Sequence, residues 1–405
     1  MIAGAGQAGF QTAASLRQDG FAGRIVMVGD EPGLPYQRPP LSKAYLMGKT
    51  TAEALTFRPE KFFVDNRIEI VAQTRVTAID RTNKRVALSS GETLDYDHLV
   101  LALGAHNRAL PIPGAALEGV FGLRTLADAD AIGAMLADAH EVVVAGAGFI
   151  GLEFGAVASA LGKSVHVLEL ADRTMARAIS PAMSQLFAAA HASWGVNIDF
   201  GQGLAALAGE RGRVCAVETT DGRKRPADVV VVGIGVLPNA AIAAEAGLDI
   251  DNGIKVDAEL LTSDPTISAI GDCASFPSPY TGSHIRLESV QNAADQGRAV
   301  AARLMGRAAP YGAVPWFWSD QRDLKLQIAG LSIGADTTIV VGNRDERRLS
   351  VLCFRGDKLL AVESVNRGAD HVAARKMFAR GTPPLTPAEA SRPDFDLKAW
   401  EAATR

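Results

Sequence analysis

Two short stretches of the chain carry glycine at the same spacing, Gly4-Ala5-Gly6-Gln7-Ala8-Gly9 and Gly146-Ala147-Gly148-Phe149-Ile150-Gly151. Glycines so placed let a backbone turn approach a pyrophosphate closely, and a helix opening there offers free N–H groups and the positive end of its dipole. Acidic residues follow about 20 positions on, where such a unit holds the adenosine ribose by its hydroxyls. They are Asp30 and Glu31 after the first turn and Glu169 after the second. Each half then closes on an apolar run that reaches glycine, at Gly104 and at Gly235. One such motif alone is weak, but two in matching context point to two dinucleotide sites.

The elements around these turns run in parallel. Val142-Val143-Val144 leads into the second turn, a helix is expected over 149–161 with Gly162 ending it, and a strand over 164–168 stops at Glu169. The first copy repeats this with a helix to Asp19, then Gly20 and a strand over 24–28. Only Met1, Ile2 and Ala3 precede Gly4, so the first strand is expected to be unusually short or trimmed. From Ala309-Pro310 onward the glycine fingerprint is absent, and β-type runs at 325–329, 338–341, 349–354 and 359–365 precede a helix over 369–378. The expected fold is therefore α/β, with two Rossmann-like dinucleotide-binding domains, one interrupting the other, plus a C-terminal α+β domain. The boundaries expected are 1–108 with 236–309, 109–235, and 310–405.

Composition narrows the function further. With 405 residues, 48% of them hydrophobic, the chain can build two or three cores. A net charge of -4 gives no reason to expect nucleic acid or a membrane surface as partner. The longest apolar runs fall far short of the ~20 residues a membrane span needs. Cys215, Cys273 and Cys353 lie far apart and the seven histidines show no ligand spacing, so neither a disulfide framework nor a metal site is expected. A reducing cytoplasm is the expected location.

Between the two glycine turns lies Tyr36-Gln37-Arg38-Pro39-Pro40-Leu41-Ser42-Lys43. In isolation this is a Pro-rigid loop with solvated charges. Beside a flavin-binding unit, Arg38 can pair with pyrophosphate through its planar fork and Lys43 can sit near the flavin ring.

With these segments in view, the chain resembles the NADH-dependent ferredoxin and rubredoxin reductases of the glutathione-reductase-like flavoprotein superfamily, the reductase components of P450 and Rieske oxygenase systems. The resemblance is carried by Gly4 to Gly9, Arg38 to Lys43, Gly146 to Glu153, Thr262-Ser263-Asp264-Pro265 with Gly271-Asp272-Cys273, Glu288 to Ala293, and Trp316-Phe317-Trp318-Ser319-Asp320-Gln321. It implies FAD contacts at Ala8, Asp30, Lys43, Val76, Arg124, Asp272 and Val290, with Asp272 on the ribityl chain. It implies NADH contacts at Gly148, Ile150, Glu153, Glu169 and Gly235, and Trp318 beside the ring where nicotinamide stacks. One departure is Leu103, where many members carry Thr in an Ala-Thr-Gly turn.

The chemistry the resemblance implies is hydride transfer from NADH to flavin, followed by single-electron steps to a [2Fe-2S] ferredoxin or a rubredoxin. Lys43 and Glu153 are the expected charge pair near the reacting atoms, with Trp318 as the third catalytic candidate. The electron partner is expected on a basic face that includes Arg298, Arg367, Arg375, Lys376 and Arg380, and the enzyme is expected to be a monomer or weak dimer. The alternatives are an NADH oxidase or disulfide-type flavoprotein reductase, and a non-enzymatic flavoprotein resembling apoptosis-inducing factor. Ser42 fills the loop position where the peroxidase and coenzyme A disulfide branch uses a redox cysteine, which argues against a thiol relay.

Overall fold

Ile2–Ala3, the shortest strand the glycine turn could follow, sits at the centre of a five-stranded parallel sheet ordered Ile267–Ala269, Leu99–Leu101, Ile2–Ala3, Ile25–Val28, Ile68–Val71. Two residues suffice because the ladder continues into the turn, where the Gly4 N–H donates to Val28 O at 2.8 Å. The apolar side chains of the three central strands are buried, as expected of parallel strands covered on both faces. The computed structural model describes residues 1–381 and 383–404. This sheet belongs to a unit made of Met1–Gln37, Glu53–His106 and Leu237–Pro315. Its helices Gln7–Gln18 and Val290–Leu304 cross closely, and a Cβ at Gly297 would lie 2.9 Å from Ala8 O.

A second unit comprises Arg38–Ala52, Asn107–Val236 and Trp316–Arg405. It repeats the parallel sheet in the order Val196–Phe200, Ser164–Glu169, Glu141–Ala145, Val229–Val232, Val120–Gly122. It also carries the C-terminal antiparallel sheet, ordered Trp316–Gln321, Leu324–Gly330, Lys358–Val365, Arg348–Arg355, Thr337–Asn343, with the helix Gly368–Ala379 packed on it. The α/β reading with a C-terminal α+β domain therefore holds.

The expected spans 1–108 with 236–309, 109–235, and 310–405 are grouped differently by their contacts. Residues 38–52 join the second unit because Arg38 Nη1 donates to Arg124 O at 2.7 Å, Tyr45 Oη to Asp130 Oδ1 at 2.6 Å, and Lys43 pairs with Glu153. The 310–315 stretch stays with the first unit, since the Tyr311 N–H donates to Ala258 O and its hydroxyl to Asn292 Oδ1. The C-terminal sheet groups with the second parallel sheet through buried polar contacts that no local pattern announces.

One of those contacts is Glu363. Its carboxylate, fully buried, accepts from Ser180 Oγ at 2.6 Å and from the Ser180 N–H at 2.9 Å, and Ser180 in turn caps the helix Pro181–Ser193. Burial pushes the Glu363 carboxyl up to about 7. The folded chain thus holds this proton more tightly than the unfolded chain, so the group's contribution to stability falls as pH rises from about 4.5 to about 7. At ~1.4 kcal/mol per unit the swing is about 3 kcal/mol. Glu363→Gln should gain stability relative to wild type by up to that amount between pH 5 and pH 8, measured by denaturant melts. A difference that stays constant with pH would contradict it.

Candidate active site

In the first glycine turn, two glycines are steric necessities and the middle one opens space. Gly4 has φ +115°, and a Cβ there would lie 2.1 Å from Ala102 O. A Cβ at Gly9 would lie 2.0 Å from Gly4 O, but one at Gly6 would meet nothing within 4 Å. Gly6 is the N-cap of Gln7–Gln18 and makes no side-chain cap bond, so the helix's first N–H groups face that opening. An opening at a helix N-terminus without a side-chain cap fits a pyrophosphate.

The neighbouring elements bring other expected residues to the same helix. Gly271, which begins the 3-10 turn with Asp272, has its ideal Cβ 3.2 Å from Ala8 Cβ and 3.7 Å from Ala293 Cβ in the first turn of Val290–Leu304. Gln296 Oε1 accepts from the buried Gly271 N–H at 2.7 Å and fixes the turn. Asp30 pairs with Arg75 at 3.0 Å on an exposed edge, next to Val76, and Glu31 accepts from Tyr36 Oη at 2.5 Å. The loop of Leu103 and Gly104 is held by Asn239, whose side chain donates to Leu103 O at 2.8 Å and whose N–H donates to Gly104 O at 3.0 Å. Asn239 was not singled out from the sequence. It anchors this loop through the Leu103 carbonyl, a bond that needs no side-chain hydroxyl at position 103.

The second turn repeats the steric logic. A Cβ at Gly146 would lie 2.6 Å from Gly233 O and one at Gly151 2.1 Å from Gly146 O, whereas Gly148 has 3.8 Å of clearance. Glu169 ends its strand with its carboxylate held by the N–H groups of Ala147 at 2.6 Å and Ala171 at 2.8 Å. Ile150 is exposed at the turn, and Gly235, at φ +101°, has Arg177 Nη2 3.5 Å from its ideal Cβ. Arg173, the other nearby cation, is engaged by Ile179 O, Ser184 Oγ and Ala176 O.

The charge pair expected from sequence forms. Lys43 Nζ lies 2.7 Å from Glu153 Oε2, which also accepts from Ser42 Oγ at 2.5 Å, while Glu153 Oε1 accepts from Ser319 Oγ at 2.6 Å. Burying a carboxylate is costly unless it is paired and hydrogen-bonded, and Glu153, only 3% exposed, has one cation and two hydroxyls around it. Trp318 stands on the strand Trp316–Gln321, its ring 5.4 Å from that of Trp316, and Phe317 packs 4.5 Å from Phe149. Ser319 and Gln321 share the opposite strand face from Trp318, a period-2 signal legible in the segment once it is known to be a strand. Arg38 and Arg124 meet through the bond from Arg38 Nη1 to Arg124 O. Of the expected basic docking residues, Arg298 pairs with Asp295, Arg367 with Asp370 and Arg380 with Glu401, and the Arg375 guanidinium lies 4.6 Å from the Trp316 ring centre.

Thiol chemistry has little support in this geometry. Cys273 is buried, donates to Ile270 O at 3.3 Å, and burial pushes its thiol up to about 11.

Residues 1–297 match the family model described as pyridine nucleotide-disulphide oxidoreductase, and residues 316–400 match the reductase C-terminal model. The chain belongs to this family. It is 52% identical to rhodocoxin reductase of Rhodococcus erythropolis over 98% of its length and 93% of that protein. It is 41% identical to putidaredoxin reductase of Pseudomonas putida, over 95% and 92% of the two chains. The crystal structure of a ferredoxin reductase from Rhodopseudomonas palustris superposes with a TM-score of 0.96 at 51% identity, covering 99% of this chain and 98% of that one. The reductase in a covalent putidaredoxin reductase–putidaredoxin complex also superposes at 0.96, with 40% identity over 99% and 97%. This chain is thus an oxidoreductase of the ferredoxin and rubredoxin reductase group, with flavin and pyridine nucleotide as the cofactors that family implies. Among the described residues no helix is long and apolar enough to cross a membrane.

Proposed function

We propose that the chain carries electrons from NADH through one FAD to a [2Fe-2S] ferredoxin serving a monooxygenase or dioxygenase. The observation that carries this is two open glycine cradles in a chain whose Ser42, where a thiol relay would need cysteine, instead bonds the buried Glu153 carboxylate that pairs with Lys43. FAD, when bound, supplies a centre that takes two electrons together and gives them up singly. The first turn, from Gly4 to Gly9, with Ala8, Asp30, Glu31, Val76, Gly104, Asp272 and Val290, is assigned to FAD, joined by Arg38, Lys43 and Arg124. The second, with Gly146, Gly148, Ile150, Gly151, Glu169 and Gly235, is assigned to NADH. Lys43 supplies positive charge for the reduced cofactor, Glu153 offsets it and orients the nicotinamide, and Trp318 offers an aromatic face.

NADH rather than NADPH follows from Glu169, whose carboxylate suits ribose hydroxyls and repels a 2′-phosphate. Arg173 is tied into its own loop, so Arg177 is the remaining nearby cation. Glu169→Ala should narrow the NADH/NADPH ratio of kcat/KM by about tenfold, the value of one such charge contact. Equal use of the two by the unmutated enzyme would contradict the assignment.

The function itself is tested by steady-state NADH oxidation with a ferredoxin encoded beside the enzyme, with rubredoxin, and with oxygen alone. Turnover should be fastest with ferredoxin. Oxygen consumption matching the ferredoxin rate would favour the oxidase alternative.

A further inference from the structure

The Lys43–Glu153 pair stands at one end of a buried row of hydrogen bonds. Ser319 Oγ is 2.6 Å from Glu153 Oε1, Gln321 Nε2 is 3.1 Å from Ser319 Oγ, and His191 Nε2 is 2.7 Å from Gln321 Oε1. Ser319, Gln321 and His191 are all buried, none more than 1% exposed. They come from the first strand of the C-terminal sheet and from the helix Pro181–Ser193.

The row has only one consistent polarity. A carboxylate facing a Lys43 ammonium accepts and does not donate, so Ser319 gives its single proton to Glu153. The Ser319 oxygen must then accept, which turns the Gln321 amide nitrogen toward it. Gln321 Oε1 is left as the acceptor for His191, so that ring carries its proton on Nε2. His191 Nδ1 is buried without a hydrogen-bond partner among the described residues, and a proton there would be stranded. Burial lowers His191 to about 4, which keeps the ring neutral near pH 7. At the far end Trp194 packs edge-on against His191 at 4.8 Å, beneath Arg322 and Arg347. Arg322 Nε also donates to Ala156 O on the helix that carries Glu153.

The terminal torsion of a glutamate is broad, so a carboxylate anchored at one oxygen swings. Ser42 and Lys43 both hold Glu153 Oε2, and among the described residues Ser319 alone holds Oε1. We propose that Ser319, Gln321 and His191 are positioning residues, a hydrogen-bond relay of fixed polarity that locks the Glu153 carboxylate, and through it the Lys43 ammonium, in one orientation. The relay rests on the reading of Lys43 and Glu153 as part of the reacting site.

The test uses FAD-loaded enzyme carrying Ser319→Ala, Gln321→Leu, His191→Leu or His191→Gln, the last placing an amide N–H where the ring Nε2–H stood. Rapid mixing with NADH gives the limiting rate of flavin reduction and the Kd for NADH. The first three variants should lower the limiting rate about tenfold while Kd moves less than about twofold, since small misplacements cost rate before affinity. His191→Gln should return the rate to near wild type. If Ser319→Ala fails to hold flavin, the two His191 variants carry the comparison. A second readout needs no turnover: 15N NMR of the His191 ring in labelled apoprotein should show the Nε2–H tautomer. Unchanged rates in the Ser319 and His191 variants, or an Nδ1–H ring in the unmutated apoprotein, would overturn the relay. If the relay variants are silent while Glu153→Gln slows reduction, only the relay falls. If Glu153→Gln itself leaves reduction untouched, the reading of the reacting site falls and takes the relay with it.

Discussion

Gly9→Ala should yield protein that purifies without flavin. The methyl would sit 2.0 Å from Gly4 O and 3.1 Å from Ile2 Cγ2, so the helix Gln7–Gln18 cannot keep its distance from the first strand. Overpacking against backbone cannot be relieved by a rotamer change, and such insertions cost ~1–3 kcal/mol or more. The cradle opens, and flavin affinity should drop by up to about 100-fold, since 1.4 kcal/mol is a factor of ten. Gly6→Ala separates crowding from occupancy. Its methyl meets no protein atom within 4 Å, so the apoprotein should melt as wild type does while flavin binding still weakens. Gly151→Ala, whose methyl would lie 2.1 Å from Gly146 O, should leave the flavin bound and instead raise KM for NADH about tenfold or more. Flavin content by absorbance after reconstitution, set beside NADH kinetics, checks all three. Full flavin in Gly9→Ala, or flavin loss in Gly151→Ala, would reverse the division of labour between the two turns.

Lys43→Met should be more damaging than the double variant that also carries Glu153→Gln. Removing the cation strands a carboxylate that is 3% exposed, held among the described residues by the Ser42 and Ser319 hydroxyls. Breaking a buried pair costs about 3–5 kcal/mol, and the partial exposure of Lys43 places this case toward the lower end. Neutralising both partners removes the stranded charge, so stability should largely return. Reduction by NADH should not: with the positive charge gone, its limiting rate should stay about 100-fold below wild type, the scale reported for losing one electrostatic donor at a reacting centre. Denaturant melts and rapid mixing on the four members of the cycle give the coupling energy. Additive effects on stability would mean that the pair does not act as a unit.

Both dinucleotide folds were legible in the sequence because their determinants are local. Glycine spacing, the buried strands and the acids that follow lie within about 30 residues of one another, as the βαβ unit requires. The C-terminal strands were legible for the same reason, by alternation. The surroundings of Glu153 were not: Ser42 lies 111 residues before it and Ser319 lies 166 after, and no periodicity links them. The Ser42 hydroxyl stood out in the sequence only as the absence of a cysteine, whereas in the fold it is a donor to the buried carboxylate. Glu363 is a similar case, a carboxylate in an apolar strand whose capping partner Ser180 is 183 residues away. The assignment of 38–52 to the second unit also depends on such distant bonds, chiefly those of Arg38, Lys43 and Tyr45. Leu103 looked like a defect by analogy, and the amide of Asn239, 136 residues on, holds its loop instead.

The central claim is that electrons leave NADH in pairs and reach an iron–sulfur protein singly, and anaerobic stoichiometry tests it most directly. A limiting amount of NADH is added to catalytic enzyme and excess oxidised [2Fe-2S] ferredoxin without oxygen, and both absorbance changes are followed. The account predicts about two ferredoxins reduced per NADH consumed, because the nucleotide gives two electrons and each cluster accepts one. NADH that is stable under these conditions, and consumed only when oxygen or a disulfide is admitted, would contradict it.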